Sequence, residues 1–331
     1  MKKSGFFRRI PAVLLAAAFV SGITACQGAS KAQEERPQML SMGTDQPGTH
    51  AFMAGAAVAS AINNGYKDVH VDIKISDGSP VNVKNVIEGE ASIAMISGST
   101  AFEAWDSQIG TESSYDGKKL CALGACYPEC SQWIAFRESG LHYVNELKGK
   151  SISAGVDASV TEAASRAVFE TLKIDEINTE LFGLGLREST DALREGKIDS
   201  AHSFYTAPFE AFEVLAGERE TVLLEYREEE LESILSRNPS WCRIVIPAGQ
   251  YPGQEKDIVT FGQKVLLCTS TEMDEETAYG IAKALDQMAA EYTGGHRFMA
   301  SMQDKDFLCN DLPVPLHPGA ERYYREAGYR K

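Results

Sequence analysis

The sequence predicts an α/β protein of two similar lobes with a ligand cleft between them. Three observations predict it. Short strand-like runs alternate with helical stretches along most of the chain, an order that argues for a mostly parallel sheet with helices on both faces. A local grammar occurs twice: "VKNVIEGEASIAMIS" and "STDALREGKIDSAHSF" each run from an apolar helix through Glu-Gly and small or acidic residues into a strand. Finally, about 290 residues follow the leader and tether, a length that suits two domains better than one.

The leader comes first. Lys2, Lys3, Arg8 and Arg9 are a positive start, and residues 10–20 are mostly apolar. That run has the length of a signal-peptide core and is too short to span a bilayer. "ITAC", ending at Cys26, resembles a bacterial lipobox, which implies cleavage after residue 25 and lipidation of Cys26. The polar stretch "QGASKAQEERPQ" then reads as a flexible tether. The expected organisation is a signal peptide at 1–25, a tether at 26–37, and a soluble body held outside the cytoplasm by a lipid anchor.

The body opens on "QMLSMG", a short strand, and the following helix places Phe52, Gly55, Ala56, Ala59 and Ile62 on one face. "VHVDIKIS" alternates, with Val69, Val71, Ile73 and Ile75 on one side of a half-exposed strand. "DGSPVNVKNVIEGE" is a turn and a helix carrying Val81, Val86 and Ile87, and "ASIAMIS" is a buried strand. "CALGACY" reads as another strand and "SQWIAFRE" as one more, reaching into a new segment. The pattern then begins again. "NELKGKSISAG" is a short helix and strand, "VDASVTEAASRAVFETLKI" a loop and amphipathic helix, and "IDSAHSF" a strand. "WCRIVIPAGQYPG" leads through "KVLLCTS" to the long helix "DEETAYGIAKALDQMAAEY" and the closing "PLHPGAERYYREAGYRK". The charge run "EYREEELESI" reads as a solvated helix face or loop.

Composition excludes several function classes. The chain has 32 basic and 47 acidic residues, a formal −15; residues 1–25 hold four of the basic residues and no acidic ones, so the remainder has 28 against 47, or −19. Nucleic acid and anionic lipid both want a basic face, so neither is an expected partner. Beyond Cys26 the cysteines are Cys121, Cys126, Cys130, Cys242, Cys268 and Cys309. An even count outside the cytoplasm permits disulfides, and the pairing stays open. No C-x-x-C pair occurs, and His50, His202 and His317 lack metal-ligand spacing, so no metal is expected. The first loop lacks both a G-K-[ST] ending and G-x-G-x-x-G, which argues against a nucleotide cofactor. G-x-S-x-G is absent, which argues against a serine hydrolase.

Two α/β lobes place a cleft where strand ends face helix starts. Three loop-to-helix junctions fall at such places, at residues 44–50, 77–82 and 156–161. Free backbone N–H groups and the positive end of the helix dipole suit an anionic or polar ligand there. The candidate contacts are Thr44, Thr49, Ser79, Asn82, Ser97, Ser99, Ser159 and Thr161, with Tyr205 and Tyr251 as aromatic walls. The same residue types cap helices, and the two roles are compatible. A carboxylate favours a basic partner; Arg137, Arg166, Arg187 and Lys84 are candidates, and the choice among them stays open. His317, in "LHPGA", reads as a structural residue fixing a turn.

These stretches, in this order, resemble the TAXI family of TRAP-transporter solute receptors. The matching pieces are "MGTDQPGTHAFMAGAAVASAIN", "DGSPVNVKNVIEGEASIAMI", "LKGKSISAGVDASVTEAASRAVFE", "LREGKIDSAHSFYTAP", "PAGQYPGQEKDIVTFG" and "PLHPGAERYYREAG". The resemblance adds Gly43, Gly48, His50 and Gly78 to the ligand-binding set, and matches Asp199 and Pro208. The chain departs from the family at His50, where an aromatic residue, usually Tyr, is expected. Val160 and Ser200 replace small residues, and Ser97-Gly98-Ser99 stands where Gln-Ser-Asp is more usual. The resemblance implies a hinged fold like the type II periplasmic binding proteins, with lobe I at 38–130 plus 245–331 and lobe II at 131–244. It implies a monomeric binding protein, not an enzyme, without a cofactor. Its cargo would be a small anionic solute (an amino acid or organic carboxylate), delivered to TRAP permease subunits. The competing classes are a protein-binding sensor or adhesin and a hydrolase.

Overall fold

The computed structural model describes residues 36–106 and 116–331. The expected signal peptide, Cys26 and nearly all of the tether lie outside the described residues. Pro37–Lys331 form one compact unit.

Its first half is a parallel trio with helices between the strands. β1 (Gln38–Gly43), α1 (His50–Gly65), β2 (Val69–Lys74), α2 (Ser79–Ile87), β3 (Ile93–Ser97) and α3 (Gly98–Trp105) follow in order. β1 lies between β2 and β3 and pairs parallel with both. The buried face of α1 is Ala54, Gly55, Val58, Ala59, Ala61 and Ile62. Phe52 and Ala56 were expected there and are only half-buried. A helix with small apolar residues on most sides does not show from spacing alone which stripe meets the sheet. On β2, Val69 and Val71 are buried and Ile73 half-buried, while Ile75 lies past the strand end at 56% exposure.

The next strand differs from the expectation. "CALGACY" and "SQWIAFRE" are one 17-residue strand, β4 (Leu120–Phe136). Pro128 suggests a break because it lacks an N–H. It is tolerated because the ladder to the strand on that side starts only at Cys130, leaving one neighbour at Pro128.

The second half repeats the first. β5 (Ser151–Ser153), α4 (Val160–Leu172), β6 (Glu180–Phe182), α5 (Leu186–Arg194) and β7 (Ser200–Tyr205) form another trio, with β5 parallel to both β6 and β7. The repeated Glu-Gly has one structural meaning: Glu88 is the C-cap of α2 with Gly89 at φ +78°, and Glu195 is the C-cap of α5 with Gly196 at φ +70°. Glycine terminates each helix in the left-handed conformation and turns the chain into a strand. There follow α6 (Glu210–Glu218), β8 (Thr221–Leu223), α7 (Glu228–Arg237), β9 (Cys242–Ile246) and β10 (Ile258–Ser270). The charge run is the start of α7, with Glu228, Glu229 and Glu230 in its first turn and Leu231 and Ile234 buried. Acids there complement the helix dipole.

The sheet order is β2-β1-β3-β10-β4-β7-β5-β6, with β8 on β4 and β9 on β10. The mostly parallel expectation holds within each trio, but β4 and β10 join the trios as a long antiparallel pair. Both strands pass from one half to the other. The early part of β4 pairs with β10 and its later part with β7 and β8. Where they cross, Gly262 faces Cys130, and a Cβ on Gly262 would sit 2.1 Å from the Glu129 carbonyl oxygen. Only glycine fits.

Each half has apolar packing of its own. One core gathers Met42, Ile62, Ile93, Leu267 and Tyr324, and another Trp133, Ile152, Val168, Phe204 and Phe261. The chain ends in α8 (Glu275–Gln287), α9 (Ala289–Thr293), α10 (Lys305–Cys309) and α11 (Pro318–Glu326). His317 caps α11: its Nδ1 accepts from the Gly319 N–H at 3.2 Å and its Nε2–H donates to the Met273 carbonyl at 3.0 Å. Gly319 presses on α8, where a Cβ would lie 2.1 Å from the Glu275 oxygen. All six described cysteines are free thiols; Cys242 is half-buried and the others buried.

Candidate functional site

Two loops of the same geometry stand at equivalent places in the two halves. After β1, the turn at 46–49 puts Gly48 at φ +95° and lets the Thr49 N–H donate to the Gln46 carbonyl at 3.2 Å; the Thr49 hydroxyl then accepts from the Phe52 N–H at 3.1 Å. After β5, Ala158 has φ +62°, the Ser159 N–H donates to Val156 at 3.0 Å, and the Ser159 hydroxyl accepts from the Glu162 N–H at 3.1 Å. Thr49 and Ser159 are therefore the N-caps of α1 and α4.

Both helix starts meet the end of β7. His50, first residue of α1, lies 3.3 Å from the Thr206 hydroxyl, with its ring 5.3 Å from Tyr205 and 4.5 Å from Phe298. Burial, with His296 nearby, holds the His50 imidazole below its usual range. From the other side, the Thr161 hydroxyl near the start of α4 accepts from the Phe204 N–H at 3.1 Å. The two dipole-positive helix ends thus border one region, across the junction of the halves.

A buried polar chain backs the second loop. The Trp133 indole N–H donates to the Tyr226 hydroxyl (2.9 Å), Tyr226 to Ser131 (2.7 Å), Ser131 to His202 Nε2 (2.8 Å), His202 Nδ1–H to Ser165 (2.6 Å), and Ser165 to the Ala154 carbonyl (2.8 Å). An indole can only donate and a carbonyl only accept, so with a neutral imidazole between them the two ends assign every proton. His202 is the neutral Nδ1–H tautomer, stacked on Trp133 at 4.2 Å. Burial pushes its ring down to about 3, against a smaller opposing pull from the Thr161 backbone. Ala154 opens the loop that leads into α4.

The strand crossing carries a polar pair of its own. Gln263 Oε1 accepts from the Ser99 N–H at 2.8 Å, and its Nε2 donates to Glu129 Oε2 at 2.8 Å. Burial pushes the Glu129 carboxyl up to about 7. Desolvation first, then the Glu129 and Asp45 charges, raise the phenols of Tyr205 and Tyr127.

Against this geometry stand the comparisons with known proteins. The sequence signature of the NMT1-like family matches residues 42–328. This chain belongs to the NMT1-like family. Among solved structures it is similar to a TctC solute binding protein from Polaromonas, at 12% identity and a TM-score of 0.52, covering 90% of this chain and 97% of that one. That likeness bears on fold, and it agrees with a two-lobed α/β architecture. Further matches are the periplasmic aliphatic sulphonate binding protein SsuA from Escherichia coli (10% identity, TM-score 0.45, 89% and 80% covered) and the Lactococcus lactis GlnP substrate binding domain 2 (11%, 0.48, 80% and 97%).

The remaining candidates of this NMT1-like protein occupy varied positions. Thr44 and Asn82 are fully buried. The Thr44 hydroxyl lies 3.2 Å from the Lys74 carbonyl, and Asn82 Nδ2 donates to the Thr44 and Met95 carbonyls at 2.6 and 2.9 Å. Gly43 makes room for that amide: a Cβ there would lie 2.5 Å from Asn82 Oδ1. Gly78, at φ +92°, precedes α2. The Ser79 hydroxyl accepts from the Ser97 N–H at 3.0 Å, and the Ser97 hydroxyl meets Thr100 at 2.9 Å. Tyr205 is half-buried beside His50. Tyr251 is 3% exposed, accepting from the Phe209 N–H at 2.6 Å and donating to Gln132. Asp199 accepts from the Ser151 N–H at 2.9 Å.

The basic candidates are engaged or on the surface. Arg137 pairs with Glu220, Arg166 with Glu162 and Lys84 with Glu88, while Arg187 is exposed. Among the described residues no group of three or more His, Cys, Asp or Glu is placed to hold a metal. No described helix is long and apolar enough to cross a membrane. Two cavities have no residue of the paired loops in their lining: one of about 580 Å³ against Pro128, Cys130 and Lys264, and one of about 480 Å³ beside Arg137 and Tyr251. Strand alternation puts the first on the face of the crossing opposite Glu129 and Gln263.

Sequence reasoning missed Glu129, Gln263, Thr206 and the His202 chain. One signal pointed to Glu129: it is the only charged residue in the run "LCALGACYPECSQWIAF". An acid inside a buried strand needs a reason.

Proposed function

We propose that this protein is the extracytoplasmic solute receptor of a TRAP transporter of the TAXI type. It captures a small anionic solute between lobe I (38–130 plus 245–331) and lobe II (131–244) and delivers it to the membrane permease, while lipid on Cys26 keeps it at the membrane. The observation that carries this reading is the duplicated loop. One copy in each half caps a long helix, and the residues beside both caps converge on the end of β7. Helix starts bind anions through free N–H groups and the dipole, so closing the halves would grip an anion from both sides. Helix dipoles also bind anions without a dedicated arginine, consistent with the engagement of Arg137 and Arg166 elsewhere. Membership of the NMT1-like family and the fold shared with a TctC solute binding protein agree with a binding role.

The test is a thermal-shift screen of residues 27–331 against amino acids, dicarboxylates, 2-oxo acids, aromatic acids and sulfonates. A ligand at a hundred times its Kd adds about 2.7 kcal/mol of stability. A rise in melting temperature confined to one anionic class supports the reading. No rise with any class, before or after unfolding and refolding to strip bound ligand, favours a protein-binding role instead.

A further inference from the structure

A lone charge is buried on the other face of the strand crossing. Lys264 is the only charged residue of β10, and it is 5% exposed. Two of its ammonium N–H groups donate to the Phe307 and Asn310 carbonyls, at 3.0 and 2.8 Å, and the Phe307 ring centroid lies 4.8 Å away. An ammonium has three donors, so one is left over. Among the described residues no carboxylate lies within ion-pair distance of Lys264; Asp311 and Asp306 act on it from farther off. Burial holds the group below its usual range. A buried charge without a close counter-ion is costly, and such groups are normally paired.

Lys264 lines the cavity of about 580 Å³. That volume suits a small organic molecule. Around the ammonium the interior is apolar. Pro128 stands opposite Lys264 on β4, and Phe298, Phe307 and Ile244 continue the walls. The other charged lining residues, Arg243, Arg297, Asp304, Asp306 and Asp311, are exposed, and the two arginines are held by Glu228 and Glu213. The walls come from both halves: Phe298 belongs to the core of the first, and Ala207 follows β7 of the second.

We propose that this cavity is a binding site of its own, apart from the paired loops, for a small organic acid with an apolar body. The carboxylate takes the third N–H of Lys264 and supplies the close counter-charge that the protein does not; the body lies along Phe298, Phe307 and Ile244. This inference stands without the solute-receptor reading. An occupant touches both halves, and the Phe298 ring that it meets is 4.5 Å from His50 at the start of α1.

The experiment uses two acids, 3-phenylpropionate and hexanoate, each with the alcohol and the amine of the same body. Cys242 reports the location, because it is half-buried and lies in the cavity lining. Alkylation of native residues 27–331 by N-ethylmaleimide is followed at Cys242 by mass spectrometry, with and without each probe at millimolar concentration. At least one acid should slow Cys242 about tenfold more than its alcohol or amine does, since only the acid brings a charge to Lys264. Lys264→Met should remove that protection and leave the rate without probe unchanged. If this variant does not fold, wild-type protein already alkylated at Cys242 serves: calorimetric titration should then count one bound acid fewer than for the unmodified protein. No protection by either acid, equal protection by the alcohol or amine, full protection in a folded Lys264→Met variant, or identical titrations before and after alkylation overturns the proposal. Each of these outcomes leaves the receptor reading untouched, because none of them measures binding at the paired loops.

Discussion

His202→Phe should destabilise the protein by an amount that shrinks as the solution is acidified. At neutral pH the substitution keeps the ring stacked on Trp133 but removes both ring nitrogens, so the Ser131 hydroxyl loses its acceptor and Ser165 its donor. Two orphaned buried groups cost about 2–6 kcal/mol together. In the folded protein the ring titrates near 3 rather than at the ordinary 6.5. A depressed histidine contributes stability that is complete above the unfolded value and is lost as pH falls toward the folded one. Between pH 7.5 and 5.0 the wild type therefore gives up about 2 kcal/mol through His202, at about 1.4 kcal/mol per unit. The phenyl ring of the variant cannot titrate, so the cost of the substitution falls by that amount. The comparison has to be made between variants, because Glu129 acts in the opposite direction. Its folded value is raised from 4.5 to about 7, so its contribution is complete below 4.5 and lost as pH rises through 7. Across the same window the two effects nearly cancel in the wild-type curve. Urea unfolding of both proteins at pH 7.5 and 5.0 gives the difference directly. An equal cost at the two pH values would refute the assignment of a neutral, buried His202.

Three further outcomes follow from the packing. Gly262→Ala should cost at least about 3 kcal/mol, because its Cβ meets the Glu129 carbonyl at 2.1 Å and strand backbone has nowhere to move; thermal unfolding within about 1 kcal/mol of wild type would contradict the crossing geometry. Tyr324→Phe should cost about 1–2 kcal/mol, since its hydroxyl donates at 2.8 Å to the buried Leu123 carbonyl; urea unfolding checks it. A thiol reagent added to native residues 27–331 should modify Cys242 before the other described cysteines, all of which become reactive in denaturant. Burial pushes Cys121 and Cys126 up to about 12, far from the reactive thiolate; rapid native modification of any buried one would count against the packing.

Some of this protein was decided within a few residues and could be read there. The Glu-Gly helix stops need glycine at positive φ, a local steric fact, and they appear at both Gly89 and Gly196. Thr49 and Ser159 announce helix starts because a cap contacts the backbone three residues on. His317 and Gly319 lie together in sequence as cap and contact point of α11. Tertiary structure decided what depends on partners far along the chain. β4 stays whole through Pro128 because of which strand lies beside it, and α1 buries the stripe that the sheet selects. Glu129 and Gln263 are 134 residues apart, and Ser131 and His202 are 71 apart. Neither pair leaves a periodic trace, since a hydrogen bond between distant side chains requires only that the backbone bring them within 3 Å or so. Local sequence thus set the helix ends that suit an anion. The Glu129–Gln263 pair arose only when β4 and β10 crossed.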